Sequence, residues 1–248
     1  MISGFPGGRG TLPEMRLNTP LKSALLFAGA LGACLGLLAL RFLFTGHFSY
    51  FFLVRNLFLG LIPLGIACVA LWVERQNWPF WGKLLLVGLS VLWLIFFPNS
   101  SYIFTDFIHL IQRGLEGESP NARGLDNMLV WFDLMNRSLF AFVGHFMGLA
   151  SLYVMHSLWK KEFGRWQGWL YVCLSCWAAG YGVFIGRFVR WNSWHLFTHP
   201  EETWQSLVLN LTAADAWLFS SGFAVFLSVS YFFVYVFKKH LFIPKEPS

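Results

Sequence analysis

Five arginines and three aspartates lie in or beside long apolar runs of this sequence: Arg41, Arg55, Arg137, Arg187 and Arg190, with Asp106, Asp133 and Asp215. A charge at bilayer depth costs about 2.5–3.5 kcal/mol on insertion scales, so such groups persist where they pair or line a wet cavity. Asp133 and Arg137 are four residues apart, one helical turn, and this spacing predicts a pair on one helix face. Arg187 and Arg190 are three apart and share a face. Two arginines cannot satisfy each other; they need carboxylates from elsewhere or an anionic ligand. Five against three leaves a surplus of two positive charges. Planar guanidiniums suit bidentate contacts with phosphate or carboxylate. The candidate ligand-binding residues are therefore Arg55, Arg137, Arg187, Arg190 and Asn192. Asn99, Asp106, His109 and Asp133 are the candidate polar or acid–base groups. A plainer role stands beside each. Arg41, at the very end of its run, is expected to snorkel to headgroups, and Asp133 with Arg137 can be a purely structural ion pair.

Other constellations are weaker. Asp106-x-x-His109 offers two metal ligands if helical, and His195, His199, Glu201 and Glu202 offer more. No zinc-binding His-Glu-x-x-His string supports them, so no metal is assigned. No phosphate-binding glycine loop or dinucleotide fingerprint occurs, so no cofactor is assigned. Ser100, Ser101 and Thr105 lie near His109 without a nucleophile-elbow pattern. His145 lies eight residues beyond Arg137 and reads as a hydrogen-bonded packing residue rather than a proton relay. Cys173 and Cys176 have redox spacing, but all four cysteines sit inside apolar runs and read as small packing side chains.

The elements that position these groups follow from composition. Hydrophobic residues make up 56% of the 248 and charged residues 12%, about half the charge a water-facing domain carries. Lipid is the solvent this implies. Six apolar segments are long enough to span: about 24–44, 51–72, 81–97 (ended or kinked at Pro98), 127–159, 166–188 and 213–237. The fourth is longer than one span requires. The fold class is all-α, a polytopic membrane protein with long loops after its third and fifth helices. Residues 1–20 read as a flexible tail, 21–240 as the six-helix membrane domain and 241–248 as a second tail. The first apolar run is too long for a signal core and reads as an uncleaved helix. All seven lysines and four of the eleven arginines fall in the tails and the even-numbered loops, 11 of 18 basic residues, which places both termini in the cytoplasm. That pattern also removes nucleic acid as the meaning of the +6 net charge. The long loops, about 98–126 and 191–212, then face outward and read as ordered caps or re-entrant segments, except for a mobile stretch at Gln112–Gly124. Gly32-x-x-x-Gly36, Gly144-x-x-x-Gly148 and Gly182-x-x-x-Gly186 each mark a face for close helix approach.

Although successive helices alternate direction, the charges away from the cytoplasmic loops all land at one outward level. Three blocks at this level carry a resemblance. Residues 96–110, Phe-Phe-Pro-Asn-Ser-Ser-Tyr-Ile-Phe-Thr-Asp-Phe-Ile-His-Leu, resemble the signature of a bacterial membrane-protein family known as domain of unknown function 1361. Trp131-Phe132-Asp133-Leu134 and the run from Gly186 to Trp194 resemble its second and third blocks. Ser101 departs from the proline expected there. The resemblance implies a bacterial inner (plasma) membrane protein and carries no catalytic role over.

Three functions compete. The first is a site, open to the outer leaflet, that binds or processes an anionic envelope component such as a lipid phosphate; its partners would be membrane lipids and an anionic headgroup. The second is a non-enzymatic scaffold or assembly partner with the charges as an internal clasp. The third is a transporter, opposed by the lack of paired broken helices.

Overall fold

The computed structural model describes residues 19–47, 50–76, 80–108 and 128–241, and these are helical with no strand. His109, the tail to residue 18 and the Gln112–Gly124 stretch lie outside the described residues. Six helices are long and apolar enough to cross a membrane. In chain order the elements are α1 (Thr19–Thr45), α2 (Phe51–Arg75), α3 (Trp81–Phe96), α4 (Pro98–Tyr102), a 3-10 turn (Ile103–Phe107), α5 (Met128–Phe163), α6 (Arg165–Phe184), a π-helical turn (Ile185–Val189), α7 (His195–Thr198), α8 (Pro200–Asn210) and α9 (Ala214–Leu241).

Each spanning helix is an apolar run whose backbone satisfies its own hydrogen bonds, the only open-chain solution in hydrocarbon. Burial separates the centre from the rim. Within the apolar window of α5, 61% is buried, against 6% for α1 and 17% for α9, so α5 is the axis of the bundle. Its 36 residues reach about 54 Å at 1.5 Å per residue, well beyond a hydrocarbon core of about 30 Å. The main apolar core packs Trp93, Phe97, Leu149, Leu152, Met155 and Tyr231. Two indoles at this core find hydroxyl acceptors: Trp93 Nε1 donates to Ser151 Oγ at 3.1 Å and Trp159 Nε1 to Ser90 Oγ at 2.8 Å. The rim presents large apolar side chains such as Leu26, Phe44, Trp166 and Leu218, as a lipid-facing surface requires.

Cross-chain contacts fix the helix directions. The ends of α1, α3 and α6 and the starts of α2, α5 and α9 meet at one end of the bundle, through Arg41–Asp133, Tyr50–Asp133, Asn99–Ser193 and Trp177–Trp217. At the opposite end Lys161 pairs with Glu74, and Lys83 approaches Glu162 at 3.9 Å.

The two long loops, read as ordered caps or re-entrant segments, are largely helical where described. Pro98 does end α3, but it also opens α4, where proline at the first turn sacrifices no hydrogen bond. Residues 98–107 then stay inside the bundle rather than leaving it. The reason is steric. Ser100 lies between α2 and α5, and both present glycine to it: an added Cβ would meet Ser100 Cα at 3.3 Å from Gly60 and Ser100 O at 2.8 Å from Gly144. At Gly148 it would meet Ser100 Cβ at 2.7 Å. Pro98 lies against Gly182 and Tyr102 against Gly186 in the same way. The glycine pairs of α5 and α6 thus seat the Pro98–Tyr102 segment, whereas Gly32 and Gly36 have nothing within 4 Å of an added Cβ among the described residues. The second loop folds into α7 and α8, tied to α6 by a hydrogen bond from the Tyr181 hydroxyl to the Leu207 carbonyl.

Candidate functional site

The polar groups at this end of the bundle divide into two assemblies that the sequence presents as one. The first is a clasp between α1, α2 and α5. Arg41 Nε donates to Asp133 Oδ1 at 2.5 Å and a terminal nitrogen donates to Oδ2 at 3.1 Å. The Tyr50 hydroxyl donates to the same Oδ2 at 2.5 Å. Arg41 and Asp133 side chains are about a tenth exposed, 11% and 10%, so this is a nearly dry bidentate pair. The Arg41 and Arg137 guanidiniums both lie over the Tyr50 ring, at 4.1 Å and 4.8 Å from its centroid, a cation–π arrangement.

This geometry corrects two expectations. Arg41 does not snorkel away; α1 ends beside α5 and its guanidinium finds Asp133 there. Arg137 does not pair with Asp133 despite the one-turn spacing. It is 2% exposed and donates to the Asp106 backbone carbonyl at 2.8 Å, capping the 3-10 turn. The i,i+4 rule permits a contact on one face, but the bidentate partner on a neighbouring helix offers more hydrogen bonds. Next to Arg137, Asn136 is 1% exposed and neither atom of its amide has a hydrogen-bond partner among the described residues.

The second assembly is a chamber of about 430 Å³ between α2, α4, α6 and the α7–α8 cap. Arg55, Asn56, Asn99, Asp106, Arg187 and Asn192 line it, and Arg137 and Asp133 do not. Asp106 is its buried acid: Asn56 Nδ2 donates to Oδ2 at 2.9 Å, and an Arg187 terminal nitrogen donates to Oδ1 at 3.4 Å. Asn99 donates to the Phe96 carbonyl at 3.0 Å and to Ser193 Oγ at 2.9 Å, which in turn donates to the Ile95 carbonyl at 2.8 Å. These bonds lock the first and third sequence blocks together. Arg55 is exposed and makes no hydrogen bond or ion pair among the described residues. Asp215, a candidate counter-charge, is exposed at the start of α9 and makes no ion pair among the described residues.

The backbone around Arg187 is irregular. α6 gives way to a π-helical turn over Ile185–Val189, and Arg190 follows at φ +66°, the one non-glycine residue with positive φ among those described. π-turns recur at functional sites, and a left-handed arginine stores about 1 kcal/mol of strain. The turn sets Arg187 toward the chamber, and Arg190 lines a second cavity that borders it.

Of the remaining candidates, His145 Nδ1 and Ser101 Oγ lie 2.9 Å apart, both buried in the bundle, so the histidine has a packing partner. No group of three or more metal-ligating side chains occurs among the described residues. Cys173 and Cys176 are free thiols, one exposed and one buried. Reasoning from the sequence missed Tyr50, Tyr102 and Ser193. Tyr50 and Ser193 lie at ends of apolar runs, and only helix adjacency reveals what they hold.

No curated protein and no solved structure matches this chain. The model of one sequence family, described as a protein of unknown function (DUF1361), matches residues 55–230, a stretch that begins at Arg55 and spans every charged residue of the chamber. This chain therefore belongs to that family of multi-helical proteins.

Proposed function

We propose that this chain is a plasma-membrane protein whose chamber faces away from the cytoplasm and binds a phosphate-type anion of the cell envelope. The observation that carries the reading is the cationic excess at the chamber. Arg55 and Arg187 line it and Arg190 stands beside it, against Asp106 as the one lining acid among the described residues. Arg187 is already turned to Asp106, whereas Arg55 and Arg190 hold no ion pair among the described residues. Two uncommitted guanidiniums at this depth are costly unless something anionic meets them. The chamber volume is in the range of small-ligand sites, about 300–1,000 Å³. The orientation rests on the lysines: Lys83, Lys160, Lys161 and Lys238 lie at the opposite end, which the positive-inside rule assigns to the cytoplasm.

The test is equilibrium binding of glycerol 1-phosphate to the purified full chain. Arg55→Gln and Arg190→Gly are each expected to weaken binding about ten-fold, the worth of one charge-assisted hydrogen bond. Arg190→Gly is expected at the same time to stabilise the fold by about 1 kcal/mol, because glycine accepts the left-handed backbone freely. A loss of binding that accompanies a gain of stability cannot be put down to misfolding. Unchanged affinity in both variants would remove the reading.

For the clasp, the second reading is favoured. Arg41 and Tyr50 both bond Asp133 away from the chamber, which supports an internal tie of the kind a membrane scaffold needs.

A further inference from the structure

The chamber has a neighbour that opens sideways. A groove of about 940 Å³ runs between the 3-10 turn that follows α4 and α9, and it shares Arg55, Tyr102, Gly186, Arg187 and Asn192 with the chamber. Five of its seven remaining lining residues are apolar, Phe104 and Ile108 on one side and Phe188, Phe219 and Phe223 on the other, beside Thr105 and Arg190. The aromatic rings form a continuous wall. Phe188 meets Phe219 edge-on at 5.3 Å and Phe219 stacks on Phe223 at 5.8 Å, while Phe104 rests edge-on against Phe226 at 5.3 Å. Polarity along the groove is graded. Arg55 and Arg187 lie at its chamber end and Arg190 lines the groove itself, while Phe219 and Phe223 are four and eight residues along α9 from Asp215, roughly 6 and 12 Å deeper at 1.5 Å per residue.

A free anion uses only the first part of such a site. A water-filled groove would not need a phenylalanine wall, and an acyl chain alone would not need three arginines. We infer, resting on the function proposed above, that the groove admits an anionic phospholipid from the surrounding leaflet, with its chain along the phenylalanine wall and its phosphate turned toward Arg55, Arg187 and Arg190. Charge complementarity selects the headgroup, and continuity with the chamber gives the headgroup somewhere to go. Tyr102 stands between the two spaces, its hydroxyl 3.4 Å from the Gly186 carbonyl, and so forms the boundary the phosphate would meet.

Native mass spectrometry of the purified full chain, titrated separately with phosphatidylglycerol, phosphatidylcholine and glycerol 1-phosphate, tests this. Thr105→Trp and Ile108→Trp place bulk in the groove without altering an arginine; Ile108 is exposed, so that variant tolerates the change if the other does not fold. The expected result is that phosphatidylglycerol binds the unaltered protein more tightly than either control. Each filled variant should lose about ten-fold for that lipid and nothing for glycerol 1-phosphate. If glycerol 1-phosphate binds as tightly as the lipid, or if groove filling leaves lipid binding unchanged, the lateral route is wrong while the anion site stands. If neither anion binds, the anion site itself falls, and the route with it.

Discussion

Asp133→Ala is expected to destabilise the protein by about 3–5 kcal/mol, the cost of leaving a nearly buried arginine without its counter-ion. Three groups lose their acceptor at once: two nitrogens of Arg41 and the hydroxyl of Tyr50. The effect is conformational rather than catalytic, because none of these side chains lines the chamber. The pair can be distinguished from the mere presence of an acid by a double variant. Arg41→Met with Asp133→Leu removes both charges and fills similar volume, and is expected to recover to within about 1–2 kcal/mol of the unaltered protein. Exchanging Asp133 with Arg137 is expected to recover nothing, since those two do not touch each other. Reversible unfolding in mixed micelles, followed by circular dichroism, gives all three values. Recovery by the Asp133–Arg137 exchange would contradict the clasp.

Asp106→Asn is expected to move stability and binding in opposite directions. The substitution keeps the shape and the Asn56 contact but removes the negative charge facing Arg187, whose side chain is 17% exposed. A part-buried arginine then loses its ion pair, and stability is expected to fall by about 2–3 kcal/mol. The same change releases Arg187 from Asp106 and removes the one carboxylate that lines the chamber among the described residues. Two unit charges a few ångströms apart in a medium of effective dielectric near 20 interact by several kcal/mol, so affinity for glycerol 1-phosphate is expected to rise by about ten-fold or more. Weaker binding in Asp106→Asn would mean instead that Asp106 receives a proton or hydroxyl from the ligand, and would turn attention to chemistry at that carboxylate.

The six spanning helices were legible because apolar runs of about 20 residues leave the chain no other structure in lipid. The single polar level was legible too, since Arg41, Asp133, Arg187 and Asp106 sit at run ends whose order alternates. Their partners were not. Asp133 and Arg137 suggested a local pair, but partner choice is set by which helices adjoin, and α1 beside α5 supplies Arg41. The Pro98–Phe107 segment read as an ordered cap or re-entrant loop, because Asn99, Ser100 and Ser101 are small and polar. Those properties are what lets the segment fit between the glycine faces of α2 and α5. The glycines of α5 and α6 were readable as packing faces, whereas what they pack against was not. The division of the charges into a clasp and a chamber follows from three-dimensional placement alone: both contain arginine and aspartate at the same depth.

The central claim is that the chamber receives a phosphate group, and a structure of the protein in nanodiscs containing phosphatidylglycerol tests it most directly. The account predicts density for a headgroup phosphate within hydrogen-bond reach of Arg55, Arg187 or Arg190, with the Arg41–Asp133 pair intact and apart from it. A chamber with no headgroup density, with Arg55 and Arg190 turned out to the bilayer surface, would contradict it.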